Sequence, residues 1–162
     1  YLTEFAKDDY SFRKPNRRFL PDHYLPTAHS EAIANIAVAV DTSGSVSDEE
    51  FNTFITQIAE IQKAMNPKKI TVIAFDTKIK NVQELTEQDN PFRKLRFQGR
   101  GGTAITPVYQ WVAENKPTLT VVFTDGEFNQ VEPIDRYAPV IWLIHNNPDW
   151  KSKTGRTIHY KI

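Results

Sequence analysis

Ile36-Ala37-Val38-Ala39-Val40-Asp41-Thr42-Ser43-Gly44-Ser45 is the stretch that decides the fold. Its apolar first half is too uniform for a half-exposed strand, so it predicts a central strand covered on both faces. The strand runs straight into one carboxylate and two serine hydroxyls. A helix-start signal follows at once. Ser47 and Glu50 form a capping box, in which the hydroxyl caps the first turn and the carboxylate reaches back. Asp48, Glu49 and Glu50 suit the positive end of a helix. Phe51, Phe54, Ile55, Ile58, Ile61 and Met65 then recur at helical spacing and give one apolar face. Asn66-Pro67 stops that helix. The Asp41 turn therefore joins a buried strand to a helix, which is where an open α/β sheet places ligands.

Downstream, Lys69 to Phe75 reads as a second strand. Asp76-Thr77-Lys78 reads as a turn, with Ile79 to Leu85 returning as a hairpin partner. Thr86 to Gln98 is polar and irregular, with a break at Asn90-Pro91. Gly99-Arg100-Gly101-Gly102 requires a flexible or tightly bent loop. Thr106 is expected to cap a short helix with Pro107 at its first position and an apolar face of Val108, Trp111 and Val112. Leu119 to Phe123, Val140 to Ile144 and Thr157 to Ile162 are further strands. The segments between these late strands show no helical periodicity. The pattern argues an α/β fold: a mostly parallel central sheet with flanking helices, one hairpin near an edge, and few helices in the C-terminal half. The direction of the final strand is open, because its connection barely reaches the dozen or so residues a parallel crossover needs.

Residues 1–31 precede this as an arm, leaving 32–162 as the domain. Pro15, Pro21 and Pro26 exclude a long helix or central strand from the arm. Its aromatics, Tyr10, Phe12, Phe19 and Tyr24, alternate with Arg13, Lys14, Arg17 and Arg18. They are expected to pack on the domain while the basic heads stay in water. With 162 residues the chain can bury one real core. Lysine plus arginine equals aspartate plus glutamate, 20 against 20, so bulk charge names no partner. The absence of cysteine excludes disulfides, thiolate zinc sites and cysteine nucleophiles, and favours a cytoplasmic home. No apolar run is long enough to span a membrane. The chain opens on Tyr1 rather than methionine and shows no signal peptide, so it is expected to be a piece of something longer.

Three strand-end or loop stretches converge on one edge of such a sheet. Asp41 and Asp125 end two buried strands, Ser43 and Ser45 stand on the first turn, and Thr103 follows the glycine loop. Taken alone, the first turn reads as a capped helix start and Asp125-Gly126 as a turn. Taken together they are two carboxylates and three hydroxyls, a hard, all-oxygen set. Such a set suits Mg2+, Mn2+ or Ca2+ rather than zinc or copper. Some of these groups acting through water would leave a coordination position for an outside ligand. Asp76, ending a strand beside Asp41, is read as a turn carboxylate, with support of the metal from behind as the competing reading, and His145 as a loop residue near the same edge. Trp111 and Trp142 are read as core, and Trp150 as an exposed contact. Arg100 could steer an acidic partner, though a solvated role is the commoner one.

Asp41-Thr42-Ser43-Gly44-Ser45 resembles the Asp-x-Ser-x-Ser motif of von Willebrand factor A domains. Those domains complete a metal-ion-dependent adhesion site with a later threonine and an aspartate after a central strand. The resemblance implies that Ser43, Ser45 and Thr103 touch the metal, while Asp41 and Asp125 hold its waters or support it from behind. It also implies that a glutamate or aspartate carboxylate of a protein partner completes the coordination. Further likeness lies in Arg13-Lys14-Pro15-Asn16-Arg17-Arg18-Phe19, in Gly99 to Thr103 with Pro107, and in Pro139 to Ile144. It is to the von Willebrand A-like C-terminal module that follows a metallopeptidase-like domain in bacterial and phage-type proteins. No His-Glu-x-x-His occurs in this chain, so a peptidase part would lie upstream. The helices that larger A domains carry between and after the late strands are missing, and the aromatic arm is expected to supply the missing cover.

The expected function is a metal-dependent protein-binding module and not an enzyme. Two alternatives compete with it. In one, Asp41 is the phosphoryl-accepting nucleophile of a metal-dependent hydrolase, but Ser43 stands where such enzymes often carry a second aspartate. In the other, the basic arm and the Lys151-Lys153-Arg156 loop bind nucleic acid, which the neutral overall charge and the acidic metal edge count against.

Overall fold

The structure is a computed structural model that describes residues 34–44, 46–97, 101–131 and 139–161. The arm 1–31, Ser45, Gly99 and Arg100 lie outside the described residues, and with them the expected arm packing. Among the described residues, six strands and three helices follow in chain order: β1 (Asn35–Asp41), α1 (Asp48–Met65), β2 (Lys69–Phe75), β3 (Ile79–Thr86), α2 (Pro91–Lys94), α3 (Thr106–Asn115), β4 (Leu119–Thr124), β5 (Val140–His145) and β6 (Arg156–Tyr160). They form one sheet in the order β3-β2-β1-β4-β5-β6. Every neighbouring pair is parallel except the β2-β3 hairpin. The expected α/β architecture is therefore the observed one.

β1 lies between β2 and β4, and Ile36 to Val40 are all 0% exposed, as the unbroken apolar run requires. Ile36, Val38 and Val40 face α1, whose Phe54, Ile55, Ile58 and Ile61 form the core on that side with Ile70, Val72, Val121 and Phe123. Ala39 faces the other side. There Ile105, Val108 and Val112 of the α3 region pack with Phe75, Val122, Trp142 and Ile144. The small β1 side chain on that face lets α3 approach.

Helix boundaries follow local chemistry. Ser47 and Glu50 make the reciprocal capping box, and Asn66 ends α1 in the left-handed conformation at φ 43°. Two details differ from the sequence reading. The polar stretch contains α2, whose start is capped by Asn90 Oδ1 accepting from Phe92 N at 3.0 Å. Thr106 is the first residue of α3 and not its cap; Ile105 holds that place without a side-chain hydrogen bond.

The β5–β6 connection is the short one, and it is nonetheless parallel. Residues 146–155 cross over without a helix. Trp142 Nε1 donates to Thr154 O at 2.9 Å, and Ser152 N donates to Thr157 Oγ1 at 3.2 Å. Gly155 sits at φ +75°, where a Cβ would come 2.4 Å from Val140 O, so only glycine lets the chain turn this tightly into β6.

Candidate functional site

The parallel strands β1, β4, β5 and β6 end at one edge, together with β2, and the Asp41 turn is at its centre. Asp41 is fully buried. Its Oδ1 accepts from Ser43 N at 2.9 Å and its Oδ2 from Thr124 Oγ1 at 2.8 Å. The second bond spans 83 residues of sequence and ties the end of β1 to the end of β4. Thr124 Oγ1 in turn accepts from Gly126 N at 3.1 Å. Burial pushes the Asp41 carboxyl above its ordinary value of 3.8. The Thr124 and Ser43 hydrogen bonds oppose that rise, and the negative charge of Asp125 adds to it. Among the described residues no lysine, arginine or histidine pairs with Asp41.

Asp125 is the first residue beyond β4. Its Oδ1 accepts from Glu127 N at 2.9 Å, and its backbone carbonyl accepts from Asn147 Nδ2 at 2.8 Å. Gly126 at φ +79° lets Trp150 lie directly on the turn; a Cβ there would be 2.4 Å from the Trp150 ring. Ser43 is buried and Thr103 is partly buried. The glycine loop is pinned on two sides: Gly44 N donates to Gly101 O at 3.1 Å, and Ala104 N donates to Asp76 O at 2.9 Å. Thr103 stands between those two anchors. The structure thus brings Asp41, Ser43 and Asp125 to one edge, with the Thr103 loop hydrogen-bonded to the same turn.

The donor set fits a hard divalent cation. Two neighbouring carboxylates and nearby hydroxyls are oxygen ligands, and among the described residues the buried one has no cationic side chain to offset its charge. Among the described residues there is no group of three histidine, cysteine, aspartate or glutamate side chains placed to hold a metal. Any cation here would rest on two acids plus hydroxyls, backbone or water, which is magnesium-like chemistry rather than zinc-like.

Two residues behave differently from their sequence reading. Trp150 is not an exposed contact. It is partly buried in an aromatic cluster, 5.3 Å from Trp142 and 5.9 Å from Phe128 between ring centroids. That cluster covers the sheet beside α3. His145 is not a loop residue. It is the last residue of β5, 2% exposed, with Nδ1 3.1 Å from Glu50 Oε1. The pair is within ion-pair reach but is not aligned as a hydrogen bond. Asn146 Nδ2 also donates to Glu50 Oε1, at 3.3 Å, and Ser47 N donates to Glu50 Oε2 at 2.6 Å. The capping glutamate thus also links the start of α1 to the end of β5. Nothing local marks His145 for this role, since its partner lies on a helix near the other end of the chain.

Asp76, the turn carboxylate at the end of β2, is 1% exposed. Its Oδ1 accepts from Lys78 N at 3.1 Å and Thr77 Oγ1 at 3.3 Å, and its Oδ2 is 3.0 Å from Lys80 Nζ. Burial raises this carboxyl too, but Lys80 and the Lys78 and Thr77 amides outweigh it and hold the group below 3.8.

The comparisons agree with this architecture. The family model described as "VWA-like domain (DUF2201)" matches residues 36–161. An uncharacterized protein of Thermotoga maritima is 31% identical over 134 residues, covering 82% of this chain and 32% of the relative. The chain therefore spans about a third of that relative's length. The crystal structure of the ArnB paralog VWA2 from Sulfolobus acidocaldarius aligns with a TM-score of 0.53 at 12% identity, over 81% of this chain and 41% of that one, a likeness of fold. With the model covering the sheet from its central strand to its last, this chain belongs to the VWA-like domain (DUF2201) family.

Proposed function

We propose that this domain is a divalent-metal-dependent protein-binding module. In this reading Asp41, Ser43, Ser45, Thr103 and Asp125 hold Mg2+ or Mn2+, and a glutamate or aspartate of a partner protein takes the remaining position. Membership of a von Willebrand A-like family supports an interaction module in general terms. The observation that carries the metal is Asp41. Among the described residues this fully buried carboxylate accepts from hydroxyl and amide groups and has no cationic partner, and it lies beside a second acid. A dipositive ion would supply the charge this edge lacks and create the acceptor position for an anionic side chain, so binding would follow metal occupancy.

The module reading is non-enzymatic. Against a nucleophilic Asp41 stands Ser43, in the place where such hydrolases often carry a second aspartate. We further read it as a cytoplasmic recognition part of a larger, metallopeptidase-like protein. The Thermotoga relative, about three times the length of the matched segment, leaves room for such an additional domain in that protein. No helix among the described residues is long and apolar enough to cross a membrane.

The test is thermal unfolding and isothermal titration with millimolar Mg2+ and Mn2+. The wild type is expected to bind and to melt at higher temperature, and Asp41→Ala and Asp125→Ala to lose the response. A wild type indifferent to both ions sinks the reading.

A further inference from the structure

We infer that Asp76 is a positioning residue for the candidate metal centre: clamped by Lys80 and its own turn, it seats the glycine loop that carries Thr103. This deepens the metal-site reading and rests on it for the consequence in affinity, though not for the docking itself.

The sheet brings Asp76 beside the site. Asp41 pairs with Phe75 across β1 and β2, so Asp76 is the next residue out on the neighbouring strand. Thr42 closes that junction: its N and Oγ1 both donate to Phe75 O, at 2.8 and 2.9 Å. Asp76 then serves the glycine loop in two ways. Its backbone carbonyl accepts from Ala104 N at 2.9 Å. Its carboxylate forms the surface on which Gly101 lies, so close that a Cβ on Gly101 would stand 2.6 Å from Oδ2 and 3.0 Å from Cγ. The carboxylate has little room to yield. Lys78 N, Thr77 Oγ1 and Lys80 Nζ hold it from three directions, and the residue is 1% exposed. On its other side the loop meets the Asp41 turn through Gly44 N and Gly101 O.

Thr103 therefore owes its place to a short loop gripped between two strand ends. A loop with so many glycines does not hold one shape by its own preference. The contacts from Asp76 and Gly44 remove that freedom before any ligand arrives. Groups that orient ligands in this way typically matter about 10–100-fold in metal affinity. The glycine at 101 is explained by the same contact: any side chain there would lift the loop off the Asp76 carboxylate.

The experiment compares the wild type with Asp76→Ala, Asp76→Asn, Gly101→Ala and Thr103→Val. In metal-free protein, amide exchange at Ala104 and Gly44 reads whether the loop is docked. Gly101→Ala and Asp76→Ala are expected to speed exchange at both amides. Asp76→Asn keeps the size and the Lys78 acceptor and is expected to preserve protection. Thr103→Val leaves the docking contacts alone and should not change it. Wild-type exchange at both amides in Gly101→Ala and Asp76→Ala overturns the inference, and this arm decides whether or not any metal binds. Isothermal titration with Mn2+ then reads the consequence. About tenfold weaker binding is expected for Gly101→Ala and Asp76→Ala, near wild-type binding for Asp76→Asn, and no further loss when Asp76→Ala is added to Thr103→Val. Additive losses in that double variant would also overturn the inference, since Asp76 would then act by a route other than Thr103. A wild type that takes up no Mn2+ while the exchange results hold would refute the metal-site reading and leave the loop seat standing.

Discussion

Asp41 and Asp76 end neighbouring parallel strands, are both buried, and both accept hydrogen bonds from the turn that follows. Their carboxyls nevertheless shift in opposite directions. Asp76 has the Lys80 ammonium at 3.0 Å, so its charge is matched inside the protein. Asp41 has Ser43 N, the Thr124 hydroxyl and the adverse field of Asp125, and no cationic side chain among the described residues matches its charge. One strand end is finished as structure and the other is left unfinished. The difference comes from one basic residue four positions along a hairpin, and it separates a positioning carboxylate from a candidate ligand-binding one.

The same substitution at both sites is the sharpest way to break this comparison. At a Mg2+ concentration a hundred times its Kd, the ion should stabilise the wild type by about 2.7 kcal/mol. Asp41→Asn is expected to lose that gain altogether and Asp76→Asn to keep it; equal behaviour of the two in thermal unfolding would erase the distinction. Next in size is the metal-free cost of truncation. Asp76→Ala leaves the Lys78 amide without its acceptor and should cost about 1–3 kcal/mol in denaturant unfolding. Asp41→Asn should do the reverse. Removing an unmatched buried charge while keeping the side chain's shape should raise the metal-free stability by on the order of 1 kcal/mol, or about 2–4 °C. A lower melting temperature would mean that the charge is already matched.

Acid titration separates the two sites by sign. A folded carboxyl raised above 3.8, as at Asp41, favours folding fully below that value and loses this contribution as pH rises through the higher folded pKa. The advantage of metal-free Asp41→Asn over the wild type should therefore shrink as pH falls from 7 toward 4. A folded carboxyl held below 3.8, as at Asp76, contributes above that value and loses its contribution as pH falls through the lower folded pKa. Asp76→Asn should therefore differ from the wild type at neutral pH and converge with it only in stronger acid. The smallest expected effect is Lys80→Met. Its side chain is about a third exposed, so solvent screening should hold the metal-free loss below about 1 kcal/mol. Chemical denaturation would read it, and a loss several times larger would show that Lys80 carries the turn by itself.

The glutamate that caps α1 extends the same lesson to a third strand end. Glu50 was readable as a capping residue, because Ser47 stands three positions before it and a helical apolar pattern follows. Its second oxygen turns to Asn146 and His145 at the end of β5. Periodicity cannot announce that contact, which depends on which strand lies under the first turn of α1.

Local chemistry by itself determined much of this molecule. The uninterrupted Ile36 to Val40 run made β1 a doubly covered strand, the capping box and 3.6-residue spacing made α1, and the Asp76 turn made the hairpin. Asp41, Ser43 and Asp125 could also be assigned to one edge, because parallel strands all end on the same side. Each of these depends on residues close in sequence or on a general rule of sheets. Tertiary structure alone decided the parallel run of β6, made feasible by Gly155 against Val140, and the seat of Trp150 on Gly126. It alone placed Lys80 against Asp76 and set no such partner against Asp41 among the described residues. It also laid Gly101 on the Asp76 carboxylate. The physical reason is common to all of these. A charge, a close approach or a strand direction takes its energy from whatever faces it in space, and the facing groups are brought together only when the sheet has formed.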